Sequence, residues 1–248
     1  MDTIYILWLR QLKKYFRSRS RIIGSLGQPV LFLISFGYGF GSIYSRAGAG
    51  NYLQFLAPGI ILMSVLFSAV FSGIDIIWDR QFGFLKETLV APVPRLNIIL
   101  GRTLGGATVA SIQGLIVFIL TLIIGFRPVN WALVPFGFMV TFLVAVLFTS
   151  VGTVIACLLE DMQGFQLIMN FLVMPIFFLS GALFPLAGLP PTLRSVVQFN
   201  PLTYGVDAVR GAFISSSTFG LGFDLFIIFT VALALLVLSS FLFEKIQV

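Results

Sequence analysis

The chain has 248 residues, of which 58% are hydrophobic and only 10% charged, with a formal net charge of +6; its mean hydropathy is +1.07. Soluble domains carry about 25% charged residues, so this composition excludes an ordinary soluble protein and indicates an integral membrane protein. One cysteine and no histidine exclude an intramolecular disulfide, His-ligated metals, haem and histidine-based general-base catalysis; no metal-ligand set and no catalytic residue is expected.

The first predicted element is an amphipathic helix over residues 1–21. At 100° per residue Arg10, Lys13, Lys14, Arg17 and Arg21 share one side, with Ile4, Trp8, Leu12, Tyr15 and Phe16 opposite. Such a helix is expected to lie in the membrane interface, aromatics among the headgroups and cations toward water and anionic lipid. It does not read as a signal peptide, because its cations follow the first apolar stretch and no small-residue cleavage site appears.

Six runs free of charge follow: Ile22 to Ser45, Asn51 to Ile74, Thr103 to Phe126, Pro128 to Leu159, Met162 to Leu193 and Leu225 to Phe243. Each can supply a helical span of about 20 residues, whereas barrel strands would alternate in polarity over about 10 residues. The expected fold is an all-α membrane protein, a single transmembrane domain over 1–248 with six transmembrane helices and no separate soluble domain. Six spans put both termini on one side. With the N-terminus cytosolic, Arg10, Lys13, Lys14, Arg17, Arg19, Arg21, Arg80, Lys86, Arg95, Arg102 and Lys245 lie inside and only Arg46, Arg127, Arg194 and Arg210 outside, the bias that fixes orientation. This topology absorbs most of the positive charge, so no nucleic-acid partner is expected.

Between the second and third runs lies DRQFGFLKETLVAPVPR, residues 79–95. Phe82, Leu85 and Leu89 recur at helical spacing and Pro92 and Pro94 stop the helix, so a short helix is expected from Gln81 to Val90. Its apolar ridge reads as a plug seeking a groove, or else as a helix lying on the membrane. Asp75 and Asp224 sit at span edges and read as wetted carboxylates, leaving a charge-free central zone that argues against a proton or sodium relay. Over residues 185–222, Pro185, Gly188, Pro190 and Pro191 are expected to break the fifth helix. Leu193 to Phe199 and Leu202 to Phe213 are too short to span and are expected to dip into the outer leaflet as re-entrant helices, shielded by protein. Asp207 and Arg210, at i and i+3, can pair; a stabilising cap and an exit gate are both compatible with this segment.

No GxxxxGK[ST] phosphate loop occurs, so energy for any transport must come from a partner or a gradient. The 79–95 segment strongly resembles the cytosolic loop after the second span of bacterial and archaeal ABC-2 type exporter permeases. Within SGALFPLAGLPPTLRSVVQFNPLTYGVDAVRG, Ser180 to Gly211, the order of Pro185, Pro190, Asn200, Pro201, Tyr204, Asp207 and Arg210 resembles that family's segment before the sixth span. The resemblance covers essentially the whole chain. It implies a half-transporter of the plasma (inner) membrane, two copies forming a path as a homodimer, each with a separate ATPase subunit that carries ATP and Mg. It also implies that the N-terminal helix is the family's interface helix and that Arg80, Phe82, Gly83, Leu85, Lys86, Glu87, Leu89 and Pro92 belong to a coupling helix inserted into the ATPase. The second and fifth spans, with Phe67, Phe71, Asn170, Phe177 and Phe178, would then line the path. Twenty-eight Phe against 3 Trp and 6 Tyr lean toward an apolar or amphipathic substrate, drug-like or lipid, over a polysaccharide or glycolipid. A secondary carrier and a membrane-embedded scaffold or lipid-modifying enzyme are the remaining readings.

Overall fold

A computed structural model describes residues 2–46, 50–90, 92–186 and 189–245. The described residues are helical, with turns and short connections and no strand. In chain order the helices are α1 (Asp2–Arg17), α2 (Arg19–Gly39), α3 (Gly41–Arg46), α4 (Tyr52–Phe71), α5 (Ile74–Gln81), α6 (Phe84–Val90), α7 (Arg95–Ile124), α8 (Val134–Leu158), α9 (Met162–Phe178), α10 (Pro191–Phe199), α11 (Pro201–Ile214) and α12 (Leu221–Glu244). Local chemistry sets several starts: Asn51 accepts from the Leu53 amide at the head of α4, Asp161 from Gly164 at α9, and Asn200 from Leu202 at α11, each filling a donor that the first turn leaves open.

Among the described residues five helical stretches are long and apolar enough to cross a membrane: Ile22–Gly39, Tyr52–Gln81, Arg95–Ile124, Trp131–Leu158 and Leu221–Glu244. The expected fifth span differs. Its helix, α9, has 17 residues and stops at a turn through Ser180 and Gly181, where Gly181 has φ +72°, ahead of the prolines expected to break it. α9 nevertheless runs between the two ends of the bundle, from Leu159 and Glu160 beside α5 to Ala182, which packs on Gly59 of α4. The α1 region and the end of α12 share one end, since Ile4 and Leu7 meet Gly101 of α7 and Arg95 donates to the Glu244 carbonyl.

The core centres on α4, where Leu56 through Leu66 are buried among α2, α7, α8 and α11. α12 is apolar all round. It buries Ile228, Ala232, Ser239 and Phe243 and exposes Phe226, Phe229, Leu233, Val237 and Phe241, as expected of a span with one lipid-facing side. α4 and α5 join through Ser72 and Gly73, and this joint rests directly on Gly152 of α8. A Cβ on Gly152 would stand 2.2 Å from the Val70 carbonyl oxygen, closer than atoms can approach. Gly152→Ala is therefore expected to cost at least about 1–3 kcal/mol through overpacking, seen as a lowered thermal midpoint in detergent. Gly27→Ala, whose Cβ would meet nothing within 4 Å, should leave the midpoint in place.

Candidate functional site

At the α1 end of the bundle α5 and α6 form a bent arm. The expected continuous helix from Gln81 to Val90 is interrupted: Gln81 ends α5, and α6 begins only at Phe84. The reason is Gly83, whose φ of +79° suits glycine and not a helix interior. Phe82 consequently leaves the face it was expected to share with Leu85. Leu85 is fully buried within the chain and so is no part of a free ridge, while Phe82 is 73% exposed, Val90 85% exposed and Glu87 and Pro92 exposed. The side chains of Lys86 and Leu89 lie outside the described residues. Arg80 folds back, donating to the Leu159 carbonyl at 3.4 Å and standing 3.9 Å from Glu160.

The root of this arm is held by charges. Arg10 donates to both oxygens of Asp79 at 2.8 and 3.0 Å, Arg102 donates to Asp79 at 2.5 Å, and Lys14 donates to Asp75 at 2.6 Å. Asp75 and Asp79 are both buried, which corrects the reading of Asp75 as a wetted carboxylate. Arg10 also covers the ring of Phe84, its guanidinium carbon 3.9 Å from the centroid. α1 thus touches α5 and α6 through the same side chain.

The apolar side of α1 is a protein interface more than a headgroup layer. Ile4 and Leu7 lie on Gly101, Gln11 and Trp8 on Gly105, the Trp8 indole donates to Thr108 and the Tyr15 hydroxyl to Gln113. The pairs advance together, so α1 runs alongside α7 in the same direction. Tyr5, Ile6 and Phe16 remain exposed. α1 ends at Arg17, and Ser18 separates it from α2, so Arg21 belongs to the next helix. Arg102 and Asp79 were missed as a site by sequence reasoning. A signal existed: Arg10 and Lys14 repeat at i, i+4, as do Asp75 and Asp79, which in antiparallel register gives both ion pairs at once.

The opposite end is stitched by the residues singled out before the last span. Pro190 precedes α10, which begins at Pro191, and Pro201 takes the first position of α11; Pro185 is exposed in the connecting turn. Asn200 donates to the Ile176 carbonyl at 2.6 Å and Tyr204 to that of Gln198 at 2.8 Å. Asp207 and Arg210 do not form an ion pair among those found in the described residues. Asp207 instead accepts from the Thr218 and Phe219 amides and the Ser217 hydroxyl, and Arg210 donates to the Gly181 and Phe55 carbonyls while stacking over Phe55. Backbone groups at fixed positions outcompete the neighbouring side chain. Asp224, expected at a wet edge, is fully buried beneath this cap.

The candidate path residues separate. Phe67 and Phe71 stack, centroids 6.5 Å apart, on the wall of a cavity of about 270 Å³. Asn170 and Phe178 face outward. Phe177 is buried against Phe32, so an outer surface of this chain presents Phe178 in its place.

Comparison with known proteins agrees with this architecture. The ABC-2 type transporter family matches residues 2–214. Nodulation protein J of Rhizobium leguminosarum bv. trifolii is 28% identical over 208 residues, 83% of this chain and 76% of that protein. A ycf38 transport permease of Pyropia yezoensis is 32% identical over 217 residues, covering 85% of this chain and 73% of the relative. The inner membrane transport permease YadH of Escherichia coli K12 is 28% identical over 238 residues, 93% of this chain and 91% of YadH. With a family match across most of its length and several apolar helices able to cross a bilayer, the chain belongs to the ABC-2 type transporter family and is a multi-pass membrane transport permease.

Proposed function

We propose that this chain is the permease subunit of an ATP-driven exporter for an apolar or amphipathic substrate, drug-like or lipid. Two copies, as a homodimer, form the path in a bacterial or archaeal plasma membrane with both termini cytosolic, and each copy docks a separate ATPase subunit that holds ATP and Mg. The observation that carries this reading is the bent arm: Phe82 and Val90 are bare at its surface, while its root is tied to α1 and α7 through Asp79. A push on α6 is passed to Arg10 through Phe84, from Arg10 to Asp79, and from Asp79 to Arg102 on α7 and to the foot of α4–α5. Phe67 and Phe71 lie further up that same α4, so the displacement also reaches the wall of the cavity they line. The outer cap of α10 and α11 moves as one body with α4 and α9, because Arg210 and Asn200 bind their carbonyls.

The test is reconstitution of the full chain with a phosphate-loop ATPase subunit that co-purifies with it. ATP-dependent efflux of a fluorescent amphiphile is expected, with impermeant reagents failing to reach cysteines placed near Arg17 and Lys86 from outside cells. Efflux driven by an ion gradient without ATPase would make the chain a secondary carrier, and efflux confined to a glycolipid would replace the substrate class.

A further inference from the structure

The cavity of about 270 Å³ lies inside one protomer, between α2, α4 and α7, and Tyr15 of α1 closes its end near the Ser18 elbow. Phe67, Phe71 and Met63 make its walls apolar. Tyr15, Ser25, Gln28, Ser64, Ser68 and Gln113 add polar groups; of these Gln113 is 1% exposed, its side-chain oxygen accepts from the Tyr15 hydroxyl at 2.6 Å, and its side-chain nitrogen has no partner among the described residues. A buried amide donor left unpaired is costly and calls for an acceptor. The volume is close to the lower end of ligand pockets, about 300 Å³. The open side is on α2, where Gly24 and Ser25 are exposed and Gly24 leaves free space beside it.

One helical turn before Gly24, at Ser20, begins a second feature of opposite character. An open groove around the elbow is lined by Lys13, Arg17 and Arg19 together with Arg10, Lys14 and Ile6. Lys13, Arg17 and Arg19 are exposed and take no part in the ion pairs found among the described residues. A mainly apolar cavity, one unpaired buried donor near its end and a cationic groove about 6 Å further along the helix match, in order, the chain, the ester carbonyls and the headgroup of an anionic lipid.

We infer that this protomer holds an anionic phospholipid, with an acyl chain in the cavity between α2 and α4, an ester carbonyl accepting from the Gln113 amide, and the phosphate on the Lys13–Arg17–Arg19 groove. Cationic side chains beside a membrane surface select anionic headgroups; the cavity adds a defined position. Such a lipid is held whether or not the chain moves a cargo, so its detection does not depend on transport.

The experiment uses the full chain in phosphatidylcholine nanodiscs doped with phosphatidylglycerol bearing a photoactivatable acyl chain, and maps the labelled peptides by mass spectrometry. Labelling is expected on Gly24 to Pro29 and Met63 to Phe71, severalfold above that from a photoactivatable phosphatidylcholine. Gly24→Leu fills the mouth and should abolish this labelling without lowering the thermal midpoint. The exposed double variant Lys13→Gln, Arg17→Gln should bring the phosphatidylglycerol signal down to the phosphatidylcholine level. Equal labelling by the two lipids in the unaltered protein, labels elsewhere, or a signal indifferent to both variants would overturn the site.

Discussion

Replacing Asp79 by asparagine is expected to be the most damaging single change at the α1 end. Arg102 is 4% exposed, two of its nitrogens have no hydrogen-bond partner among the described residues, and its only carboxylate among the described ion pairs is Asp79. Removing one partner of a buried pair strands the other charge, at a cost of about 3–5 kcal/mol. Arg10 holds the same carboxylate but its side chain is 34% exposed, so Arg10→Gln should cost about 1 kcal/mol or less. Denaturant titration of the full chain in detergent gives the order. The double variant Asp79→Asn, Arg102→Met should recover a large part of the loss, because the stranded charge is gone; a thermodynamic cycle isolates that coupling. Equal losses for Asp79→Asn and Arg10→Gln would mean that Arg102 is solvated and that the cluster is an ordinary surface pairing.

The arm yields the second large effect, and here the two apolar positions diverge. Phe82→Ala should leave stability intact, since the ring is largely bare, yet weaken ATPase docking by about 2 kcal/mol if it is an interface anchor, roughly 30-fold in affinity. Leu85→Ala should do the reverse, lowering stability by about 2–5 kcal/mol through an unfilled core position. Inverting the charge of exposed Glu87 should group with Phe82→Ala. ATPase binding to immobilised permease, efflux and thermal midpoint from the same preparations separate these classes. Docking indifferent to Phe82 and Glu87 would remove the arm from the coupling interface.

The membrane class, the long apolar helices and the two short helices before α12 were legible because each depends on local properties: run length, absence of charge, proline and asparagine at helix starts. The bend at Phe82 and Gly83 was not, since a lone glycine inside a helical pattern does not announce a positive φ. Burial of Asp79, Arg102 and Asp224 was also hidden. Each sits near the end of an apolar run, and whether such a residue meets water or a partner is decided by elements distant in sequence. The same holds for α1, whose apolar side suits lipid or the glycine-lined face of α7 equally well until α7 is in place. Asp207 and Arg210 show the converse error, in which sequence spacing proposed a pair that backbone amides and carbonyls then divided between them.

The shortness of α9 has a consequence for the bilayer itself. Seventeen residues give a helix of about 25 Å, some 5 Å less than the hydrocarbon core of a typical membrane. Were α9 to cross the membrane, the missing length would be supplied by the turn at Ser180 to Leu183, which is buried and whose neighbouring carbonyls are taken by Asn200, Arg210 and Tyr52. Polar backbone is thereby kept from lipid at one edge of the protomer only. Thickness mismatch, worth fractions of a kcal/mol per Å, therefore falls unevenly: the long helices α7 and α12 can tilt to follow a thinner membrane, while a thicker one strains the lipid around α9. Growth conditions that lengthen or order the acyl chains would press on this edge first.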